Sequence, residues 1–208
     1  MDAINREEIR KLVREVLAES NGRDRTHSRA PASRGPRALI VFQAGVRRLE
    51  EALKQLPLLE AQAGWSGVYT VPAVRSRVCG ADVREQGGAP CILDTVKPEG
   101  LEKVLARADV LVLPTLCLLV ASKVAHLMCD EPDSRLVFSA LLQGKPVLAA
   151  RDGFMVCEVL ANEALKTEME RLINKLEGFG VVFCPTQQLA EAFGRLTSDF
   201  IPENEITR

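Results

Sequence analysis

The stretch Ala108–Ala125, ADVLVLPTLCLLVASKVA, constrains the fold more than any other. Val110 to Leu113 is a short run of Val and Leu only, the pattern of a strand buried on both faces. Pro114 ends that strand, because proline has no N–H to give to a ladder. From Leu116 to Met128 the chain is apolar nearly all round, broken mainly by Ser122, Lys123 and His126, which predicts a buried helix. A strand that turns through Pro-Thr into a buried helix presents backbone groups at the carboxyl end of a sheet, where open α/β sheets bind ligands. The same pattern also fits a plain core strand followed by a plain core helix.

A length of 208 residues suits one globular domain with an appendage. Hydrophobic residues make up 47% and aromatic ones only 4%, so the core must be built of Leu, Val and Ala. A net charge of -1 gives no global drive toward nucleic acid or an anionic membrane. The longest apolar run, Val110 to Ala121, is too short to span a bilayer. The N-terminus is charged and amphipathic, unlike a secretory signal. Six cysteines are scattered with no Cys-x-x-Cys pair, which argues against a zinc or iron–sulfur site and suits a reducing cytoplasm.

Residues 1–20 read as an amphipathic helix. Asn5 and Glu8 resemble a capping box, and Ile9, Leu12, Val13, Val16 and Leu17 share one stripe. Such a helix is marginal alone in water and needs a partner for its stripe. Residues 21–37 follow as a flexible linker, since its polar, small, Gly and Pro residues cannot offset their ordering entropy. The stripe could pack on its own domain, but a helix with an apolar stripe on a long tether looks like a docking peptide for a groove on another protein. Its polar face alternates acids and bases and lacks Trp or Phe anchors, which argues against a membrane surface.

The folded domain is expected over 38–200, with a polar tail at 201–208. Strands are expected at Ala38–Phe42, Gly67–Val71, Cys91–Leu93, Val110–Leu113, Pro146–Ala150 and Val181–Cys184. Helices are expected at Val46–Leu56, broken or kinked by Pro57, then from Pro98 to Ala106, Ser134 to Leu142 with Gly144 as its stop, Val156 to Glu177, and Gln187 to Leu196. Alternating strands and helices predict a three-layer α/β sandwich on a mostly parallel sheet, flavodoxin-like or Rossmann-like.

In such a fold the strand-to-turn junctions are the candidate sites. Gln43, Ala44 and Gly45 could offer backbone N–H groups to a phosphate, although they also fit a plain tight turn. Arg75 and Arg77 could neutralise a phosphate or simply be solvated. Thr115, Leu116 and Cys117 would face the same crevice, and a helix start could lower the Cys117 pKa while apolar surroundings would raise it. Asp130, Glu131 and Asp133 fit a solvated acidic loop better than a cation site. With two histidines, His27 in the linker and His126 on a helix, no hydrolytic constellation is visible.

The stretch from Ala108 to Ala150 resembles the flavoprotein family that includes the homo-oligomeric flavin-containing cysteine decarboxylases. The matching residues are Ala108-Asp109, the turn Pro114 to Leu119 against the family's Pro-Ala-Ser-Ala-Asn-Thr, Lys123-Val124-Ala125, Asp130, and Lys145-Pro146-Val147. The resemblance implies a flavodoxin-like sandwich binding FMN at a subunit interface, commonly in trimers. It implies cofactor contacts at Gln43, Ala44, Gly45, Arg75, Pro114, Thr115, Leu116, Cys117, Leu118 and Leu119.

The departures from that pattern fall on chemistry. The family's Asn is Leu118 or Leu119 here, and the Ser after its second strand falls near Pro72. No His lies between Phe42 and Ala108, and the clamp Pro-x-Met-Asn is replaced by Ala150-Arg151-Asp152-Gly153. Decarboxylation is therefore not expected. The N-terminal helix and linker resemble encapsulation peptides of bacterial microcompartment enzymes. The two resemblances together imply an FMN flavoprotein giving redox support inside a cytoplasmic microcompartment, or a scaffold of the same fold without flavin.

Overall fold

The computed structural model describes residues 35–43, 48–63, 65–70, 91–92, 98–153 and 162–198. The chain divides into two units, Met1–Ser33 and Arg34–Arg208, and every described residue belongs to the second. The expected N-terminal helix and most of the expected linker lie outside the described residues, as do Ala44, Gly45, Arg75 and the tail.

The strands are β1 (Arg37–Phe42), β2 (Trp65–Thr70), β3 (Cys91–Ile92), β4 (Val110–Leu113), β5 (Val147–Ala150) and β6 (Val181–Cys184). They form one sheet in the order β3-β2-β1-β4-β5-β6, with every pair parallel. β1 starts at Arg37, which pairs with Trp65 and is bound by Asp109. This is the doubly wound order, in which the chain reverses its direction of growth between β1 and β4.

Period-two alternation sends the strand side chains to two separate cores. One face takes Leu39, Val41, Leu111, Leu113, Val147 and Ala149. Against it pack α2 (Pro98–Arg107), α3 (Leu118–Ala125), α4 (Pro132–Leu142) and α5 (Glu163–Gly178). The other face takes Ala38, Ile40, Phe42, Val110, Val112, Leu148 and Ala150 under α1 (Leu49–Gln62) and α6 (Leu189–Ser198). A three-residue 3-10 turn, Thr186–Gln188, immediately precedes α6. The three-layer parallel sandwich is thus as expected.

Three helices differ from expectation: α5, expected from Val156, begins only at Glu163, because Asn162 stands in extended conformation and caps it there. α1 begins at Leu49 and runs through Pro57 to Gln62, because Leu49, Ala52, Leu56 and Leu59 keep one buried stripe across the proline. The packing outweighs the hydrogen bond that Pro57 removes. α3 is shorter than Leu116–Met128 and is not buried all round. It buries only Val120, Ala121, Val124 and Ala125, while Leu118, Leu119, Leu127 and Met128 are exposed. A helix in an outer layer has one face for the sheet, so its remaining apolar residues are left outside.

The helix ends have clear causes. At the end of α4, Gly144 takes φ 65° while its N–H reaches Leu141 O and the Lys145 N–H reaches Ala140 O. That is the Schellman arrangement. α3 ends by the same pair of bonds, Leu127 N–H to Val124 O and Met128 N–H to Lys123 O, but with Leu127 at φ 60°. Asn162 caps α5 by accepting from the Leu165 N–H at 3.1 Å.

Candidate functional site

The reversal of strand order puts the crevice of this sheet beyond the carboxyl ends of β1 and β4, where Gln43 and Pro114–Thr115 lie. Of the sequence candidates, Gln43 is therefore brought to Thr115 and Cys117. The ladder aligns Ala38 with Val110 and Ile40 with Val112. Continued by the same offset, Phe42 would meet Pro114, which has no N–H. The pairing is restored one step later by a side chain. Thr115 Oγ1 accepts the Gln43 N–H at 2.9 Å and donates to the Gln43 carbonyl at 3.1 Å.

The Gln43 side chain then crosses to the start of α3. Its Oε1 accepts the Cys117 N–H at 3.2 Å, and Cys117 is the N-cap residue of that helix. Gln43 and Thr115 are fully buried, a rare setting for polar side chains unless they are bonded. The Gln43 backbone N–H is thus given to Thr115. The Gln43 Nε2 is buried with no hydrogen-bond partner.

The rest of the turn divides sharply. Pro114 is buried and Leu116 belongs to the core. Cys117 is half-buried, and burial pushes its thiol above the ordinary range, with Asp133 adding in the same direction. The helix-start effect is the weaker one here, so the thiol is held protonated. Leu118 and Leu119 are 43% and 57% exposed at the rim.

A second polar set ties the neighbouring strand exits together. Asp152 accepts the Thr186 N–H at 3.0 Å and the Thr186 hydroxyl, and Arg48 lies between Glu51 at 2.6 Å and Asp152 at 3.8 Å. The Arg151 N–H reaches Cys184 O at 2.9 Å. A Cβ on Gly153 would lie 3.5 Å from Leu116 O, so the loop after β5 lies close to the turn after β4. The sequence reading missed this set, whose signal is the Asp-Gly pair following a buried strand.

The acidic loop is an ion-pair site within the chain. Lys123 reaches Asp130 at 3.0 Å and Glu131 at 2.7 Å, which holds the Asp130 carboxyl below its usual range. Asp133 is different, because burial pushes its carboxyl up to about 6. No cluster of His, Cys, Asp and Glu among the described residues could hold a metal ion. No described helix is long and apolar enough to cross a membrane.

Fold and crevice together are those of a doubly wound sheet with a polar junction at its switch point. No protein-family model and no curated protein sequence matches the chain. Solved structures do match its fold. DmrB of Burkholderia xenovorans in complex with FMN, described as a cubic protein cage for redox transfer, aligns over 81% of this chain and 98% of its own, with 12% identity and a TM-score of 0.59. TvaF, an FMN-dependent cysteine decarboxylase of thioviridamide biosynthesis, aligns over 78% of this chain and 98% of its own, with 18% identity and a TM-score of 0.57. The peptidyl-cysteine decarboxylase EpiD aligns over 77% of this chain and 99% of its own, with 11% identity and a TM-score of 0.58.

Proposed function

We propose that this protein is an FMN-binding flavoprotein that gives electron-transfer support to a bacterial microcompartment pathway in the cytoplasm. The observation that carries the reading is the switch point between β1 and β4, lined by the residues that match the flavoprotein turn, in a fold shared along nearly the whole length of an FMN-bound redox protein. The junction fits such a guest. It has a buried donor in Gln43 and exposed apolar side chains in Leu118 and Leu119 for a planar ring.

Bound FMN would supply one- and two-electron redox chemistry. The chain's own residues would bind, orient and exclude water. Thr115 and Gln43 fix the two turns against each other, and Cys117 is held as a neutral thiol. The turn itself, from Pro114 to Leu119, carries no ionisable side chain other than that thiol. This suits electron transfer better than decarboxylation. The N-terminal stripe Ile9, Leu12, Val13, Val16 and Leu17 would dock on a shell protein or cargo, with the domain forming a homotrimer.

An absorption spectrum of the purified full chain, with its mass in solution, tests the reading. Flavin bands at one flavin per chain in a trimer are expected. Protein that stays colourless after incubation with FMN overturns it. A second reading, a scaffold of this fold without flavin, is favoured by Leu118 and Leu119 standing where the family's turn has a polar Asn. Its mark is a stable oligomer with no flavin and normal shell binding.

A further inference from the structure

The hydrogen bonds at the β1–β4 junction leave one buried side-chain nitrogen without a partner. The Thr115 hydroxyl serves both peptide groups of Gln43, and the Cys117 N–H serves Gln43 Oε1. What remains is Gln43 Nε2, fully buried and unpartnered. Its identity is fixed by chemistry. The atom facing the Cys117 N–H must be an acceptor, so the free end of the amide must be the NH2 group. A buried amide donor with no acceptor is costly to keep, and such groups in native proteins call for a specific account.

The surroundings narrow what acceptor would complete it. Through Cys117 the amide lies at the start of α3, whose N-cap side chain makes no capping hydrogen bond. The helix N-terminus adds partial positive charge there. The next two residues, Leu118 and Leu119, are apolar and exposed. The carboxyl that acts on Cys117, Asp133, opposes a dianion at this corner. A neutral carbonyl oxygen at the edge of a planar apolar ring meets all of these conditions. A phosphate meets the first two but not the apolar pair or the neighbouring carboxyl.

We infer that Gln43 is a ligand-binding residue whose Nε2 donates a hydrogen bond to a ring carbonyl of the isoalloxazine, with Leu118 and Leu119 against the ring. This rests on the flavin reading above and deepens it. The phosphate is then left to another part of the crevice. The amide is anchored from both sides, by the Gln43 backbone on Thr115 and by Oε1 on Cys117, so the donor is held in place before the ring arrives. Such preorganisation favours binding. A donor on the carbonyl also stabilises the electron-rich reduced ring more than the oxidised one.

Riboflavin and FMN titrations of the full chain test this, because riboflavin carries the ring without the phosphate. Two variants are compared with the wild type at pH 8. Gln43→Met keeps the volume and removes the amide. Gln43→Glu keeps an acceptor for the Cys117 N–H and removes the donor. Circular dichroism establishes that each variant is folded, and either folded variant suffices. Loss of about tenfold to a hundredfold in affinity is expected for riboflavin and FMN alike. The potential of any flavin still bound should become more negative. Weakening of FMN with riboflavin unchanged would place the acceptor on the phosphate and overturn the assignment. Unchanged affinity for both would overturn it while leaving the flavin reading intact. A wild type that binds neither flavin overturns both.

Discussion

The hydroxyl of Thr115 holds both peptide groups of Gln43, accepting its N–H at 2.9 Å and donating to its carbonyl at 3.1 Å. It takes the place of the ladder bonds that Pro114 ends. At the opposite end of the same strand pair, Arg37 donates to Asp109 from its backbone N–H at 2.8 Å and from its guanidinium at 2.6 and 3.0 Å. The Asp109 N–H returns to Arg37 O at 2.7 Å. Both closures join residues 72 positions apart, the offset of the ladder itself. The central strand pair is therefore closed at each end by side chains.

Thr115→Val keeps the shape of the side chain and removes the hydroxyl. Two buried backbone groups of Gln43 lose their partner, at about 1–3 kcal/mol each. A loss of about 2–4 kcal/mol is expected, with an unchanged denaturant slope. Thr115→Ser keeps the hydroxyl and should lose about 1 kcal/mol, for one buried methyl. Urea denaturation of both variants separates the cases, and equal losses would show that the hydroxyl is not what closes the junction.

Asp133 makes stability depend on pH in an unusual direction. Its folded pKa is raised to about 6, mainly by burial, with Glu131 adding to it. The unfolded carboxyl titrates near about 4. The folded state therefore binds more protons between those values, so Asp133 lowers stability as pH rises through them. The penalty is absent below about pH 4, grows toward pH 6 and is complete beyond it. Asp133→Asn should stabilise the protein by about 1–3 kcal/mol at pH 7.5 and by almost nothing at pH 4. Arg37–Asp109 acts oppositely, since Asp109 is lowered by its hydrogen bond to Arg37. Its contribution is present above about pH 4 and lost as pH falls through the lower folded value. With both side chains about half-exposed it is worth at most about 1 kcal/mol. Melting curves at the two pH values decide, and an Asp133→Asn effect independent of pH would contradict the burial argument.

Leu127 holds the left-handed position that ends α3, at φ 60°, a place that favours glycine. A Cβ there costs roughly 1–2 kcal/mol. Its side chain is 60% exposed, so little burial is lost on removing it. Leu127→Gly should therefore stabilise the domain by up to about 1 kcal/mol, after the added chain entropy of glycine in the unfolded state. Destabilisation in the same denaturation assay would mean that the exposed leucine has a packing role that outweighs its strain.

Much of the architecture was legible because period and composition report burial directly. Val110–Leu113 and Val181–Cys184 were bounded correctly, since their runs are framed by Pro114, Gly180 and Pro185. The helix from Pro98 was placed to within one residue. Pro57 misled, because a local rule cannot weigh the buried stripe on both sides of it. The apolar run after Leu116 misled in the opposite sense, since composition does not say which leucines an outer-layer helix leaves in solvent. Pro114 and Thr115 pointed to the turn, but the hydroxyl's role did not follow. Knowing that Thr115 meets Gln43 requires the register of β1 on β4, and two uniformly apolar strands do not specify it. Gln43 itself was singled out for its backbone, whereas the side-chain amide is what remains unpaired.

The helix expected at residues 1–20 can be tested without any flavin. Its stripe, Ile9, Leu12, Val13, Val16 and Leu17, follows the i, i+3, i+4, i+7, i+8 spacing of one apolar face. Burying each such side chain in a groove is worth about 1.5–3 kcal/mol, and an ionised carboxylate in its place reverses the sign. Residues 1–36 fused to a fluorescent reporter should gather on microcompartment shell assemblies. Leu12→Asp with Val16→Asp changes two adjacent turns of the stripe while leaving the polar face as it is, so it should return the reporter to the cytoplasm. A charge-neutral swap of Arg10 and Glu15 on the polar face should leave the signal on the shells. If the double variant still gathers there as strongly as the parent, the stripe is not the docking surface. If the polar-face swap disperses the reporter instead, charge rather than apolar burial holds it.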